Sequence, residues 1–148
     1  MKYQVRPLKE SDIWAIVQGE EEAFGQSLGY DLIYADLYLN PYANYLVLDI
    51  DNQVSGYIGL WITEESAEVI NFYVAKPYQG MGFGKMLLEF ALELCQMSKV
   101  KSISLEVREN NEIAKKLYEK YGFKFSHKRE KYYRDSTDAL VMIKKFEV

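Results

Sequence analysis

Three glycines at alternate positions, Gly80, Gly82 and Gly84, stand in the run Gln79-Gly80-Met81-Gly82-Phe83-Gly84-Lys85. Such spacing lets a backbone turn tightly and come close to a ligand. The run before it, Asn71-Phe72-Tyr73-Val74, is aromatic and β-branched and suits a strand, which Pro77 stops. Beyond Gly84, residues Leu87, Leu88, Ala91, Leu94 and Cys95 recur at helical spacing. A strand, a glycine loop and a helix therefore follow one another. The helix start aims unpaired N–H groups and a positive dipole end at the loop, which makes an anion site, most often for phosphate.

The residue types around the loop narrow the ligand. A triphosphatase loop needs Ser or Thr after Gly-Lys to hold magnesium, whereas Met86 follows Gly84-Lys85. A dinucleotide fingerprint needs another glycine spacing and an acid about 20 residues on. Strand-forming Ile103 to Val107 occupies that stretch instead. A glycine-rich turn without ligand stays open at this point.

Other candidates are weaker when read one by one. In Ser102 to Val107, the alternation puts Ile103, Leu105 and Val107 on one face and Ser102, Ser104 and Glu106 on the other. Glu106 then lies near the carboxyl end of a central strand, which borders the ligand crevice in open α/β sheets. A solvated charge is the plainer reading. Asn110-Asn111 can cap a helix to Tyr121 whose inner face is Ile113, Ala114, Leu117, Tyr118 and Tyr121. Tyr118 reads there as a core residue. Cys95 is on an apolar helix face and the single histidine, His127, is on another element, so no Cys-His nucleophile is expected. No metal-ligand spacing is visible.

The remaining elements must position these residues. Tyr3 to Arg6 is a short strand, and Ser11 or Asp12 caps a helix to about Phe24. Glu20-Glu21-Glu22 reads as a solvated helix end, with attraction of a cationic substrate as the functional alternative. Gly25 to Gly29 is a loop and Tyr30 to Leu39 a helix. Tyr45 to Ile50, Val54 to Thr63 and Ala67 to Val74 form an antiparallel meander, turned at Asp51-Asn52 and bulged near Gly56 and Gly59. Gly122 suits the position after a helix, and Phe123 to Tyr133 pairs with Ala139 to Phe146. The fold class is α/β: residues 1–148 as one domain, with a mixed, mostly antiparallel sheet and helices on both faces.

With 148 residues, nearly half apolar, the chain is of one-domain size and can bury a good core. No apolar run reaches the roughly 18 residues a membrane span needs, and the start lacks a signal-peptide stretch. A lone cysteine forms no internal disulfide, so a cytoplasmic location is expected. The net charge of −4 argues against nucleic-acid phosphates as main partner and suits a cationic one.

Several segments together resemble the GNAT superfamily of acetyltransferases. They are Val5-Arg6-Pro7-Leu8, Asn71 to Val74, the loop from Gln79 to Gly84, Leu105-Glu106-Val107-Arg108-Glu109-Asn110-Asn111, Ala114 to Phe123, Lys131-Tyr132-Tyr133 and Asp138 to Met142. Within it they are similar to the RimI group, the bacterial ribosomal-protein-alanine N-acetyltransferases. The resemblance implies acetyl-CoA as co-substrate, no metal, and transfer to a primary amine. The N-terminal α-amine of a protein such as small ribosomal subunit protein S18 is the expected acceptor. A small amine or lysine side chain, and a non-catalytic coenzyme-binding module, are the alternatives. Backbone groups of Phe72, Tyr73 and Val74 would bind the pantetheine arm. Gln79, Gly80, Met81, Gly82, Phe83, Gly84 and Lys85 would wrap the pyrophosphate, with Asn111 further along the coenzyme. Gly80 stands where the family often has a basic residue, which removes one phosphate-facing charge. Glu106 would be general base and Tyr118 would serve the departing thiolate.

Overall fold

The computed structural model describes residues 1–147. Strands are β1 (Tyr3–Pro7), β2 (Ala43–Ile50), β3 (Gln53–Ile62), β4 (Ser66–Val74), β5 (Ser102–Arg108), β6 (Lys124–Arg129) and β7 (Ala139–Lys145). Helices are α1 (Ile13–Phe24), α2 (Tyr30–Leu39), α3 (Phe83–Met97) and α4 (Glu112–Lys120). The sheet runs β1-β2-β3-β4-β5-β7-β6, and only the β4–β5 pair is parallel. No described helix is long and apolar enough to cross a membrane.

Two cores sandwich the sheet. On one face, α1 and α2 bury Ile13, Ile16, Val17 and Ile33 against Tyr45, Val47, Tyr57 and Tyr73. On the other, Leu87, Leu88, Ala91 and Cys95 of α3 and Tyr118 of α4 pack on Ile58, Leu60, Ile103, Leu105 and Val107. The alternation in β5 is as expected: every second residue is buried. At the β2–β3 turn, Asp51 and Asn52 have φ of 51° and 66°. Two left-handed residues in a row match the right-handed twist of a hairpin.

The feature that makes a site is a failure of pairing. β4 and β5 pair only at Ser66–Glu68 with Ser102–Ser104. In the β3–β4 ladder, Gly59 meets Asn71 and Leu60 meets Val69, so Ile70 is an extra residue. A bulge bends the strand that carries it. Past it, β4 stays with β3 to Val74, while β5 follows β7 to Arg108. A wedge-shaped gap opens between them in mid-sheet.

Four expectations change. Glu20 is fully buried rather than solvated, because α1 lies flat on β3 and β4 and this position of its last turns points inward; Glu21 and Glu22 remain exposed. Ile113 is 86% exposed, since α4 begins only at Glu112 and its first turn stands clear of the sheet. The strand expected to Tyr133 stops at Arg129, and Tyr132 and Tyr133 belong to the loop beyond it. Asp12 makes no side-chain cap on α1; it accepts the Lys9 N–H at 2.8 Å and pairs with Arg6 at 2.8 Å. Arg6 also meets Asp49 at 2.9 Å, which ties β1 to β2.

Candidate active site

The glycine loop is an open cradle of backbone donors. A 3-10 turn (Lys76–Tyr78) follows β4, and Gln79 Nε2 donates to the Val74 carbonyl at 2.9 Å. Gly80 and Gly82 have φ of 78° and 87°, and a Cβ on either would meet nothing within 4 Å. Gly82 is the N-cap of α3 and offers no side chain to the helix. The leading N–H groups of α3 thus lack intrahelical acceptors. Phe83 anchors the cradle: it is buried, with its ring edge-on to Tyr3 and Tyr78 at 5.2 and 6.4 Å. Met81 and Lys85 are exposed. Gly84 fits against Phe72 and Val74. This geometry can hold an anion the size of a diphosphate without a basic side chain at position 80.

One edge of the gap is the main chain of β4. Ala75 N–H donates to the Ser55 carbonyl at 2.8 Å, and Gly56 faces Val74. Antiparallel hydrogen-bonded pairs alternate, so Tyr73 spends its groups on β3 while Phe72 and Val74 face the gap. Of the three residues expected to bind the pantetheine arm, only these two present backbone groups there. The Phe72 N–H donates to Asn71 Oδ1 at 3.0 Å.

The other edge carries side chains. Leu105 and Val107 are buried under α3 and α4, so Glu106 points to the α1/α2 side, its side chain 26% exposed. Arg129 Nε lies 3.3 Å from its carboxylate. The Tyr132 hydroxyl lies near Glu106, and that carboxylate together with partial burial raises it above its usual range. Burial, then the Glu106 charge, raises Tyr133 likewise. Arg108 lies 4.1 Å over the Tyr133 ring and pairs with Asp135 at 2.9 Å. Hydrogen bonds from Thr137, then from Arg108, hold Asp135 down to about 2. The loop after β6 is thereby folded over the end of β5. Arg129, Tyr132 and Tyr133 were not identified as site residues in the sequence. The adjacent tyrosines just past the end of β6 were the available signal.

Tyr118 approaches Tyr133 from the α4 side. It is 9% exposed, with its ring 5.7 Å from Phe123. Burial, helped by nearby Tyr133, pushes its hydroxyl up to about 12. No hydrogen bond contributes to that shift. Tyr118 is a core residue with Tyr133 near its hydroxyl. Asn111 caps α4, accepting the Ala114 N–H on Oδ1 at 3.1 Å, which leaves its amide N–H groups for another partner. Cys95 is buried and its thiol is pushed up to about 11 by burial, which suits packing and not attack. His127 is exposed on β6. No group of three or more His, Cys, Asp or Glu side chains could hold a metal among the described residues.

A family model described as "Acetyltransferase (GNAT) family" matches residues 11–123. The chain belongs to the GNAT acetyltransferase family. It is 37% identical over 95% of its length to a Bacillus subtilis (strain 168) protein, 94% of which is covered. That protein is named, provisionally, a ribosomal protein bS18-alanine N-acetyltransferase. Ard1 from Thermoplasma volcanium superposes with a TM-score of 0.89 at 25% identity, each chain covered over 100%. The ribosomal-protein-S18-alanine N-acetyltransferase from Escherichia coli superposes with a TM-score of 0.90 at 23% identity, covering 99% of this chain and 96% of that one. Among GNAT enzymes the chain is RimI-like. It is an N-acetyltransferase, moving an acetyl group from acetyl-CoA to an amine.

Proposed function

We propose that this GNAT enzyme acetylates the N-terminal α-amine of a protein, and that an Ala-initiated ribosomal protein of the S18 type is its acceptor. The observation that carries this is the uncovered sheet face above Glu106. The α1/α2 core contains no residue of β5, β6 or β7, and β6 is exposed along its length. A chain end can therefore approach Glu106, Tyr132 and Tyr133 from the side opposite the glycine loop. The 37% identical Bacillus subtilis relative supports the choice of protein acceptor.

Bound acetyl-CoA supplies an activated acetyl thioester. Backbone N–H groups of residues Gly80 to Lys85 hold its pyrophosphate, Asn111 meets the coenzyme further along, and the gap edge at Phe72 and Val74 binds the pantetheine arm as an added strand would. The Val74 N–H, on the open edge, is suited to polarise a carbonyl oxygen. Glu106 takes the proton of the acceptor ammonium, directly or through one water. A free amine attacks a thioester unaided by any protein nucleophile. An α-amine with a pKa of ~8 keeps a usable neutral fraction at pH 7, which a lysine at ~10.4 does not. Tyr118, still protonated, offers its O–H to the departing sulfur. A full transfer from a phenol raised to about 12 to a thiol of ~8.5 is strongly uphill, so solvent delivers the net proton.

A thiol-release assay with acetyl-CoA tests the acceptor. Peptides of defined first residue are compared with a polyamine and with a lysine peptide blocked at its α-amine. The Ala-initiated peptide is expected to have the highest kcat/KM. Preference for the polyamine or the blocked peptide overturns the reading.

A further inference from the structure

Glu20 has no exposed surface, and among the described residues it forms no ion pair. A buried carboxylate is costly unless donors surround it, and four do. Oε1 accepts the Ser27 hydroxyl at 2.6 Å and the Leu28 N–H at 3.1 Å, both in the α1–α2 loop. Oε2 accepts the Tyr57 hydroxyl and, at 2.6 Å, Asn71 Nδ2, both on the sheet. One oxygen holds the loop and the other holds the strands. Burial first, then the Glu20 charge, keeps the Tyr57 proton in place by raising that hydroxyl far above its ordinary range.

The connection reaches the gap. Asn71 spends its amide N–H on Glu20 and its oxygen on the Phe72 N–H at 3.0 Å, which is a gap-facing group. On the loop side, Gly25 and Gly29 have φ of 76° and 92°, so the segment is bounded by two residues that resist no rotation. The Gly29 N–H donates to Ser27 Oγ at 2.9 Å, so the Ser27 hydroxyl links Glu20 to the start of α2. Neighbouring Gly19 brings α1 down onto β4: a Cβ there would lie 1.9 Å from the Tyr73 hydroxyl. Phe24 stands edge-on to Tyr73 at 6.4 Å. The loop thus adjoins β4 at the level of the gap, on the α1/α2 side. A leucine would fill the same space in a core built only for packing.

We infer that Glu20 is a positioning residue. It locks the α1–α2 loop to β4 and so sets the affinity for the acceptor amine, reaching the coenzyme edge only indirectly, through Asn71. This rests on the reading of the α1/α2 side as the acceptor side. Glu20→Gln keeps the shape but turns an NH2 group toward donors. Amide exchange at Leu28 and Gly29 is expected to quicken, and acceptor KM to rise, each about tenfold, the scale of one hydrogen bond to a charge. The KM for acetyl-CoA is expected to change by less than about twofold. Ser27→Ala removes only the loop arm and is expected to shift the same two readouts in the same direction; it decides the matter should Glu20→Gln not fold. KM is measured with whichever amine the wild type acetylates best. Failure of the Ala-terminus reading would thus show in the wild type, separately from failure of this one. Unchanged exchange, equal rises in both KM values, or a lower Tm with unchanged KM overturns the inference.

Discussion

On the α3 side of the gap the polar groups on offer are main-chain N–H groups; on the α1/α2 side they are side chains. The cradle at Gly80 to Lys85 and the edge at Phe72 and Val74 need only backbone shape, which two left-handed glycines and a bulge provide. The facing surface depends on Glu106, Arg129, Tyr132 and Tyr133, brought together from β5, β6 and the loop beyond. The difference teaches that a group common to a whole enzyme family, such as a pyrophosphate, can be held by donors every residue has. Choice among amines needs charges and hydroxyls at set places. Substitutions should therefore separate: backbone-shape changes act on coenzyme binding, and side-chain changes act on turnover or on the acceptor.

The largest effect is expected at Gly82. Valine strains the left-handed backbone there (φ 87°) and places a side chain where a ligand must approach. Gly82→Val should abolish acetyl-CoA binding by calorimetry. A folded variant with wild-type affinity would break the comparison on its coenzyme side.

Next comes Glu106→Gln. It should spare acetyl-CoA affinity and lower kcat by ~10²–10⁴-fold, the range of general-base catalysis. The loss should shrink as pH rises and the amine loses its proton unaided. A deficit that stays constant up to the amine pKa would give Glu106 a structural role, as anchor for Arg129 and Tyr132.

Tyr118→Phe should have the smallest effect and sharpens the comparison most, because this residue is a core side chain with Tyr133 at its hydroxyl. The expected kcat loss is roughly 10–100-fold, from a hydrogen bond that strengthens as sulfur gains charge, with both substrate affinities kept. An acyl donor with a lower-pKa thiol should lose less. The sign of the pH effect follows from the shift: burial raises Tyr118 to about 12, so it keeps its proton through the working range. The wild type should show no alkaline fall from this group near pH 10. Normal turnover with an altered thermal melt would return Tyr118 to a packing role.

Much of this was legible because it is local. The glycine loop, the alternation in β5, the left-handed turn at Asp51-Asn52 and Gly122 with φ of 93° follow from sterics and period over a few residues. Those rules act the same way in any fold, so the sequence by itself determined most of the elements, the glycine turn before α3 and the face of Glu106. Tertiary structure alone decided the rest. Glu20 meets Tyr57 and Asn71, 37 and 51 residues away, and a run of three glutamates carries no mark of which one turns inward. The pairing of Arg6 with Asp12 and Asp49, and the arrival of Arg129 and Tyr132 at Glu106, likewise depend on which surfaces pack together. The gap itself exists because one unpaired residue, Ile70, bends β4 away from β5. A bulge is a property of two strands in register, and no single strand's sequence contains it.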